Sequence, residues 1–334
     1  MLLKHNNVGQ PLSNKLNEYN FRFPNNLKLQ SRRQLQKPEK QDSHLSKMIT
    51  LNKFTRYYPD ITSAKRPLKY LLAILCRFLN ILLIKNLKQN HIIVLNYHSV
   101  SPNDHPEGAA VSPENLSRQI EIITKEYNVI HIDEAMDLLA TKNDFLSAII
   151  VTFDDGFKDN YEYAFPILKK HECPAVIFLA TAFVNKEIKL IDDVNFHSLS
   201  WDDTAEMEST GLVKFASHSH NHEKLSHLSR SELQSDLRQS KTLLTEKLNT
   251  TLPYFAYPNG QSKDFNEDTV EILKSENFAG AFSTLWGVNT SNTNKFALKR
   301  IRIDGSDSET EFRMKIRGDY DYIGLIHKIK KYIP

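Results

Sequence analysis

From about residue 91 onward, short apolar runs alternate with amphipathic stretches. Runs such as Ala148–Phe153 and 175–180 are rich in β-branched and aromatic residues, which predicts buried strands. In 112–127 and 229–248 the apolar residues recur every three or four positions, which predicts helices. The second of these opens with the sequence Ser-Arg-Ser-Glu, which matches a capping box.

This strand-then-helix order predicts a parallel α/β architecture. About seven or eight such units fit a closed or nearly closed barrel better than an open sheet. In such barrels the reactive side chains gather where the strands end. The predicted strands are 92–98, 129–132, 148–153, 175–180, 213–217, 254–257, 280–283 and 298–303.

Two groups of polar residues follow predicted strands and suggest metal chemistry. Asp154 and Asp155 end the run Ala148–Phe153, and His218 and His222 follow the run Val213–Ser217. One carboxylate and two imidazoles form a common shell for a catalytic zinc ion that keeps an open position. The remaining carboxylate is then free to act as a base.

These motifs resemble those of the polysaccharide deacetylase family, also called the NodB-homology or carbohydrate esterase 4 family. The resemblance covers about residues 91–305 and rests on Thr-Phe-Asp-Asp-Gly-Phe at 152–157, His-Ser-His-Asn-His at 218–222 and Phe-Ala-Tyr-Pro-Asn-Gly at 255–260. It implies a distorted (β/α) barrel and the metal-dependent removal of an acetyl group from a sugar.

The resemblance also implies individual roles. Asp154 matches the general base, and Asp155, His218 and His222 match the metal ligands. A divalent metal is therefore expected, zinc first, although cobalt, manganese and nickel suit the same ligands. A backbone N–H near Asn259 is the expected donor to the oxyanion.

The chain departs from the family pattern in its third motif and near its C-terminal end. Ala256 replaces the arginine that orients the base, Asn259 replaces a tyrosine, and the usual Leu-x-His is absent after residue 290. In a barrel the first strand closes beside the last, so His98 is the candidate general acid and Arg300 the candidate partner of the base. This placement resembles the permuted arrangement of the exopolysaccharide-modifying branch, which includes poly-N-acetylglucosamine deacetylases.

Two aromatic residues complete the candidate site. Tyr257 lies at the end of a predicted strand and within the third motif, where a substrate would bind. Trp286 precedes a glycine in an otherwise polar loop and is a candidate platform for stacking against a sugar ring.

The first 90 residues differ from the rest of the chain in composition and in the pattern of apolar residues. Residues 1–65 are polar without a sustained period, which predicts a disordered tail. Residues 68–84 are apolar almost all round, with Arg77 near the middle and basic residues on both sides. Three interpretations remain open for this segment: a membrane-spanning helix, a helix in the membrane interface, and a helix packed on the main domain. Met48 is an alternative start. The predicted organisation is a polar tail over 1–65, an apolar helix over 66–90, a catalytic domain over 91–320 and a C-terminal tail over 321–334.

The composition of the chain excludes some classes of protein function. A formal charge of +3 over 334 residues does not indicate a nucleic-acid binder, and Cys76 and Cys173 form no disulfide framework. We therefore expect a membrane-associated, metal-dependent deacetylase that acts on an N-acetylated hexosamine in a surface polysaccharide or its precursor. The alternatives are an O-acetyl esterase, a hydrolase of small cyclic amides, and a glycan-binding pseudoenzyme.

Overall fold

The computed structural model describes residues 70–77, 90–102, 108–141, 144–193, 196–248 and 252–324. The predicted tail over 1–65, the alternative start at Met48 and most of the predicted apolar helix lie outside these ranges. So does the chain after residue 324.

Parallel strands form the centre of the fold. Their order in the main sheet is β10-β1-β5-β6-β7-β8-β9, and β4 pairs with β5 as well. The short strands β2 and β3 pair separately with each other. The strands are β1 (Ile92–Tyr97), β2 (Ser99–Val100), β3 (Ala110–Val111), β4 (Asn128–Val129), β5 (Ala148–Phe153), β6 (Ala175–Leu179), β7 (Val213–Ser217), β8 (Tyr254–Ala256), β9 (Gly280–Phe282) and β10 (Ile301–Arg302).

Helices cover the outer face of this sheet. They are α1 (Pro113–Glu126), α2 (Ile132–Ala140), α3 (Phe165–Lys170), α4 (Thr181–Val184), α5 (Trp201–Ser209), α6 (Arg230–Lys247), α7 (Glu267–Ser275) and α8 (Glu309–Ile316), and a π-helical turn, Asn160–Ala164, precedes α3. The predicted capping box is present at the start of α6, where Ser229 and Glu232 each bond to the other's backbone N–H.

The sheet curls until its two edges approach each other. Leu298 donates its N–H to the Ala281 oxygen of β9, and its own oxygen accepts from Ser283. Three residues later Ile301 pairs with Leu95 of β1, so the segment from Leu298 to β10 connects the two edges. The prediction of a distorted (β/α) barrel is confirmed.

Both faces of the strands are buried, as is typical of a parallel sheet covered by helices. Along β5, Ile149 and Val151 pack with the helices in one apolar cluster. Ala148 and Ile150 point the other way, into the barrel interior, where they pack with a second cluster. This alternation explains why the strands appear as continuous apolar runs in the sequence.

Residues 70–77 are helical and lie against the catalytic domain. Ala73 is fully buried in the core, while Leu71, Ile74 and Leu75 are 62%, 62% and 50% exposed. Among the residues that the structure describes, none belongs to a helix long and apolar enough to cross a membrane.

Candidate active site

The register of β1 against β5 brings His98 and the aspartate pair together. Asn96 pairs with Thr152 and Tyr97 with Phe153, so the chain leaves both strands at the same level of the barrel. His98 and Asp154 are the next inward-facing residues, and His98 Nε2 lies 4.0 Å from Asp154 Oδ2.

Asp155, His218 and His222 form a cluster at the end of β5 and β7. Their candidate ligand atoms all lie within 4.8 Å of one another. The Oδ1 atom of Asp155 is 3.3 Å from His218 Nε2 and 3.1 Å from His222 Nε2. The cluster thus combines residue types and spacing that suit a divalent cation.

The hydrogen bond at the other nitrogen of His218 strengthens this assignment. Its Nδ1 lies 2.7 Å from the carbonyl oxygen of Ala256, which can only accept, so we assign the proton to Nδ1. The neutral ring then points the lone pair of Nε2 at the Asp155 carboxylate. Two acceptors facing each other need a cation or a proton between them, and ligand histidines are commonly oriented in this way by a backbone carbonyl.

The backbone at this cluster is held in an uncommon conformation. Asp155, Ser219 and His222 have φ angles of 75°, 66° and 56°, in the left-handed region that non-glycine residues seldom occupy. Residues held there at a cost occur often at functional sites, where the surrounding structure fixes them. Here the conformation turns Asp155 and His222 toward a common point.

A carboxylate from α6 holds the histidine-bearing loop in place. Asp236 is buried and accepts the backbone N–H groups of His220 and Asn221, both at 2.9 Å. The Ser219 hydroxyl accepts from the N–H of His222 at 2.9 Å. The side-chain amide of Asn221 also donates to Asp236, at 3.2 Å. Asp236 was not predicted from the sequence, because contacts between a helix and a distant loop leave no motif.

Asp154 is clamped by Arg300. Two guanidinium nitrogens donate to the two carboxylate oxygens, each at 2.7 Å, and both side chains are buried, at 2% exposure for Asp154 and 1% for Arg300. The Arg300 Nε donates to the Ser283 backbone oxygen at 2.9 Å, and this bond fixes the orientation of the guanidinium. This bidentate geometry is the strong form of an arginine–carboxylate pair. The structure thus places Arg300 beside Asp154, whereas Ala256, at the usual arginine position, carries no such group.

The electrostatics of the site keep both carboxylates ionised. Burial raises the pKa of Asp154, but the Arg300 guanidinium outweighs it and holds that pKa below its usual range. Burial likewise raises the pKa of Asp155, and the neighbouring imidazoles of His218 and His222 bring it well below the usual value. For His98, burial lowers the pKa despite the neighbouring carboxylates.

His220 points away from the cluster of Asp155, His218 and His222. Its Nδ1 contacts the Thr181 hydroxyl at 2.9 Å and its Nε2 contacts Glu187 at 3.2 Å. The ring is buried and ties the histidine loop to α4.

Two of the predicted substrate contacts are unsuited to that role in this structure. Tyr257 is fully buried, donates its hydroxyl to the Phe296 oxygen and stacks on Phe265 with ring centroids 4.0 Å apart. Trp286 is 6% exposed and packs in the apolar core, with the Lys315 ammonium over its ring. The sequence suggested exposure because Trp286 lies in a polar loop, but packing against the core covers it.

Asn259 lies in a tight turn of the third motif. Its φ is 62°, and the following Gly260 has a φ of 66°. A Cβ on Gly260 would lie 2.8 Å from the backbone nitrogen of Thr284, so only glycine fits. This turn passes the end of β8, beside the Ala256 carbonyl that orients His218.

Comparison with known protein families matches the central part of the chain. Residues 143–281 match the family model described as polysaccharide deacetylase. The chain therefore carries a domain of the polysaccharide deacetylase family, which confirms the resemblance inferred from the motifs.

One group of similar proteins carries the name of the branch that the sequence indicated. The chain is 28% identical over 253 residues to Staphylococcus aureus proteins named poly-beta-1,6-N-acetyl-D-glucosamine N-deacetylase, which covers 68% of this chain and 83% of the relative. It is 26% identical over 231 residues to the putative polysaccharide deacetylase YxkH of Bacillus subtilis, covering 69% and 77%.

Solved structures share the fold. The Streptococcus pyogenes deacetylase PplD, in complex with acetate, aligns with a TM-score of 0.58 at 25% identity over 67% of this chain and 97% of that one. IcaB from Ammonifex degensii aligns with a TM-score of 0.58 at 24% identity over 70% and 97%. The second likeness supports the barrel alone.

Proposed function

We propose that this protein is a metal-dependent polysaccharide N-deacetylase that hydrolyses the acetamido group of an N-acetylated hexosamine. The observation that carries the proposal is that a possible metal-binding cluster and a buried aspartate–arginine pair lie side by side at one end of the barrel. The cluster of Asp155, His218 and His222 lies beside an Asp154 that Arg300 holds ionised, within reach of His98. A glycan-binding module has no need of this combination.

Asp154 is the proposed general base. As an ionised carboxylate it accepts the proton of the attacking water, and the bidentate contact with Arg300 aims both its oxygens. Arg300 also keeps Asp154 from holding a proton in the resting state, since burial alone would favour the neutral acid.

The proposed ligands of the divalent cation are Asp155, His218 and His222. Once bound there, a cation polarises the acetyl carbonyl and lowers the pKa of the attacking water. Zinc fits this ligand set, as do cobalt, manganese and nickel. The backbone N–H of Asn259, in the third-motif turn, is the proposed second donor to the oxyanion.

His98 is the proposed general acid. Its Nε2 lies 4.0 Å from Asp154 Oδ2, so the acid and the base are close enough to act on one bound acetamido group. Proton transfer from His98 to that nitrogen allows the C–N bond to break and releases the amine and acetate.

The substrate proposal rests on the chemistry of the site together with the names of the relatives. Acetate release from β-1,6-linked N-acetylglucosamine oligomers, with appearance of a free amine in equal amount, is the expected result. Release only from O-acetylated glycans would instead identify an esterase, and release only from small cyclic amides would identify the other hydrolase. His98→Ala is expected to lower the rate while the protein still binds metal.

We also propose that the helix at residues 70–77 attaches the protein to a membrane surface. Its inner face packs on the core through Ala73, while Leu71, Ile74 and Leu75 face solvent on the other side. An exposed apolar stripe beside basic residues is typical of an interfacial helix.

Flotation of the full chain with anionic vesicles tests this attachment. The triple change of Leu71, Ile74 and Leu75 to serine is expected to abolish flotation. Leu146→Ser, at a 69% exposed leucine elsewhere, is the matched control and is expected to keep it. Equal flotation of all three proteins would refute the attachment.

A further inference from the structure

Asn96 lies close to His98, the proposed general acid, along the chain. It lies on β1, two residues before His98, which directly follows the end of that strand. Side chains two residues apart along an extended chain point to the same face. The register places Thr152 on one side of it and Arg302 on the other. Asn96 is fully buried and faces the barrel interior, like Val94 two residues before it.

Asn96 and His98 both carry buried polar atoms that have no hydrogen-bond partner within the described ranges. Within the described ranges, neither the Oδ1 nor the Nδ2 of Asn96 has a partner, and the buried Nδ1 of His98 has none. Leaving a buried polar group unpaired is costly, and an apolar side chain at position 96 would avoid the cost. Two such groups, one at the end of β1 and the other just after it, point to a hydrogen bond between them that forms in another state of the site.

The chemistry of His98 explains why that bond matters. Its Nε2 faces Asp154, so the proton transferred to the leaving nitrogen moves at Nε2. The ring is held in one orientation only if Nδ1 has a partner. The charged groups acting on His98 are Asp155, Asp154, Arg302 and Arg300.

We propose that Asn96 is the positioning residue for His98, with its side-chain oxygen accepting a hydrogen bond from His98 Nδ1–H during the reaction. The inference rests on the proposed function of His98 as the acid. The bond keeps one proton on Nδ1 both before and after the Nε2 proton leaves, so a single tautomer is formed. Catalytic hydrogen bonds are often long in the free enzyme and tighten when substrate binds, which accounts for the unpaired atoms here.

A neutral acceptor suits an acid that works near neutral pH. A carboxylate at the same place would add negative charge beside His98 and favour the imidazolium further. An amide fixes the ring without that charge. This difference makes the aspartate variant informative.

Kinetics of three variants in the metal-loaded full chain test the proposal. Asn96→Leu is expected to lower kcat by about ten-fold to a hundred-fold with unchanged KM and metal content, the effect typical of losing an orienting partner. Asn96→Asp is expected to retain activity and to move the alkaline limb of the pH profile upward, because the carboxylate favours protonated His98. Should Asn96→Leu fail to fold, Asn96→Ser serves the same comparison.

Asn289→Leu is the matched control. Asn289 is a fully buried asparagine whose side chain bonds the backbone of Lys299 and whose own backbone pairs with Ile92 at the start of β1. Its loss is expected to reduce thermal stability and leave the pH profile unchanged. If the Asn96 variants behave in the same way, with wild-type kcat and pH profile, the proposal is overturned.

Nitrogen NMR of the His98 ring gives a readout independent of turnover. The wild-type chain with a bound transition-state analogue is expected to hold the proton on Nδ1, and Asn96→Leu to show a mixture of tautomers. The same tautomer in both proteins would contradict the role of Asn96. A wild-type chain that releases no acetate would instead refute the proposed function, while the tautomer measurement would still decide the role of Asn96.

Discussion

Replacing Arg300 with methionine removes the only charge that contacts Asp154 through two hydrogen bonds among the described residues. Asp154 and Arg300 are 2% and 1% exposed, so the carboxylate left behind is a buried, unpaired charge. Breaking such a pair by removing one partner costs about 3–5 kcal/mol.

Protonation of Asp154 limits that cost. Protonating an aspartate of ordinary pKa at pH 7 costs about 4 kcal/mol, so the destabilisation of Arg300→Met at pH 7 is bounded near that value. In the wild type the pKa of Asp154 is lowered, and its contribution to stability is present above the unfolded pKa and lost as pH falls below it. In the variant the carboxyl is neutral, so the difference from wild type shrinks by about 1.4 kcal/mol for each pH unit below 7.

Two measurements check this reasoning. The first is denaturant unfolding of the wild type and of Arg300→Met at several pH values between 5 and 8. The difference between their unfolding free energies is expected to change by about 1.4 kcal/mol for each pH unit. The second is the pH profile of acetate release. Arg300→Met is expected to be inactive at neutral pH and to recover activity at higher pH, because Asp154 must lose its proton to act as the base. A stability difference that does not vary with pH, or an unmoved acid limb, would refute the reasoning.

Three further predictions concern the proposed metal ligands, the carboxylate that holds their loop, and a buried aspartate elsewhere in the domain. His218→Ala is expected to lose bound divalent metal in elemental analysis of the dialysed protein, whereas His197→Ala, at an exposed histidine, keeps it. Asp236→Asn places an amide donor against backbone N–H groups and should weaken metal binding by about ten-fold to a hundred-fold in chelator competition, and unchanged affinity would contradict its role. Burial raises the pKa of Asp159 to about 6. Asp159→Asn should therefore unfold at a higher temperature than wild type above that pH, with the gap closing as pH falls toward about 4, where the unfolded carboxyl also protonates.

The cluster of Asp155, His218 and His222 was predictable because its residues lie in two short motifs. Asp155 follows one strand, and His218 and His222 follow another, and parallel strands end on the same side of a barrel. Arg300 and His98 were predictable only through topology, since they are joined by the closing of the last strand beside the first.

Other parts of the site leave no signal in the sequence. Asp236 acts on backbone N–H groups from a helix, and the need for a carboxylate there is visible only once the loop is seen. Trp286 shows the opposite error, because its polar neighbours indicated exposure and tertiary packing buried it. Residue type and local pattern predict which groups can react, whereas burial depends on contacts between distant segments.

The most direct test of the central claim is acetate release from N-acetylglucosamine oligomers by the full chain before and after chelation. The site predicts release that stops when the divalent metal is removed and returns when zinc or cobalt is added back. Asp154→Asn is expected to bind the same metal and release almost no acetate. Undiminished release by the chelated protein, or by Asp154→Asn, would contradict the account.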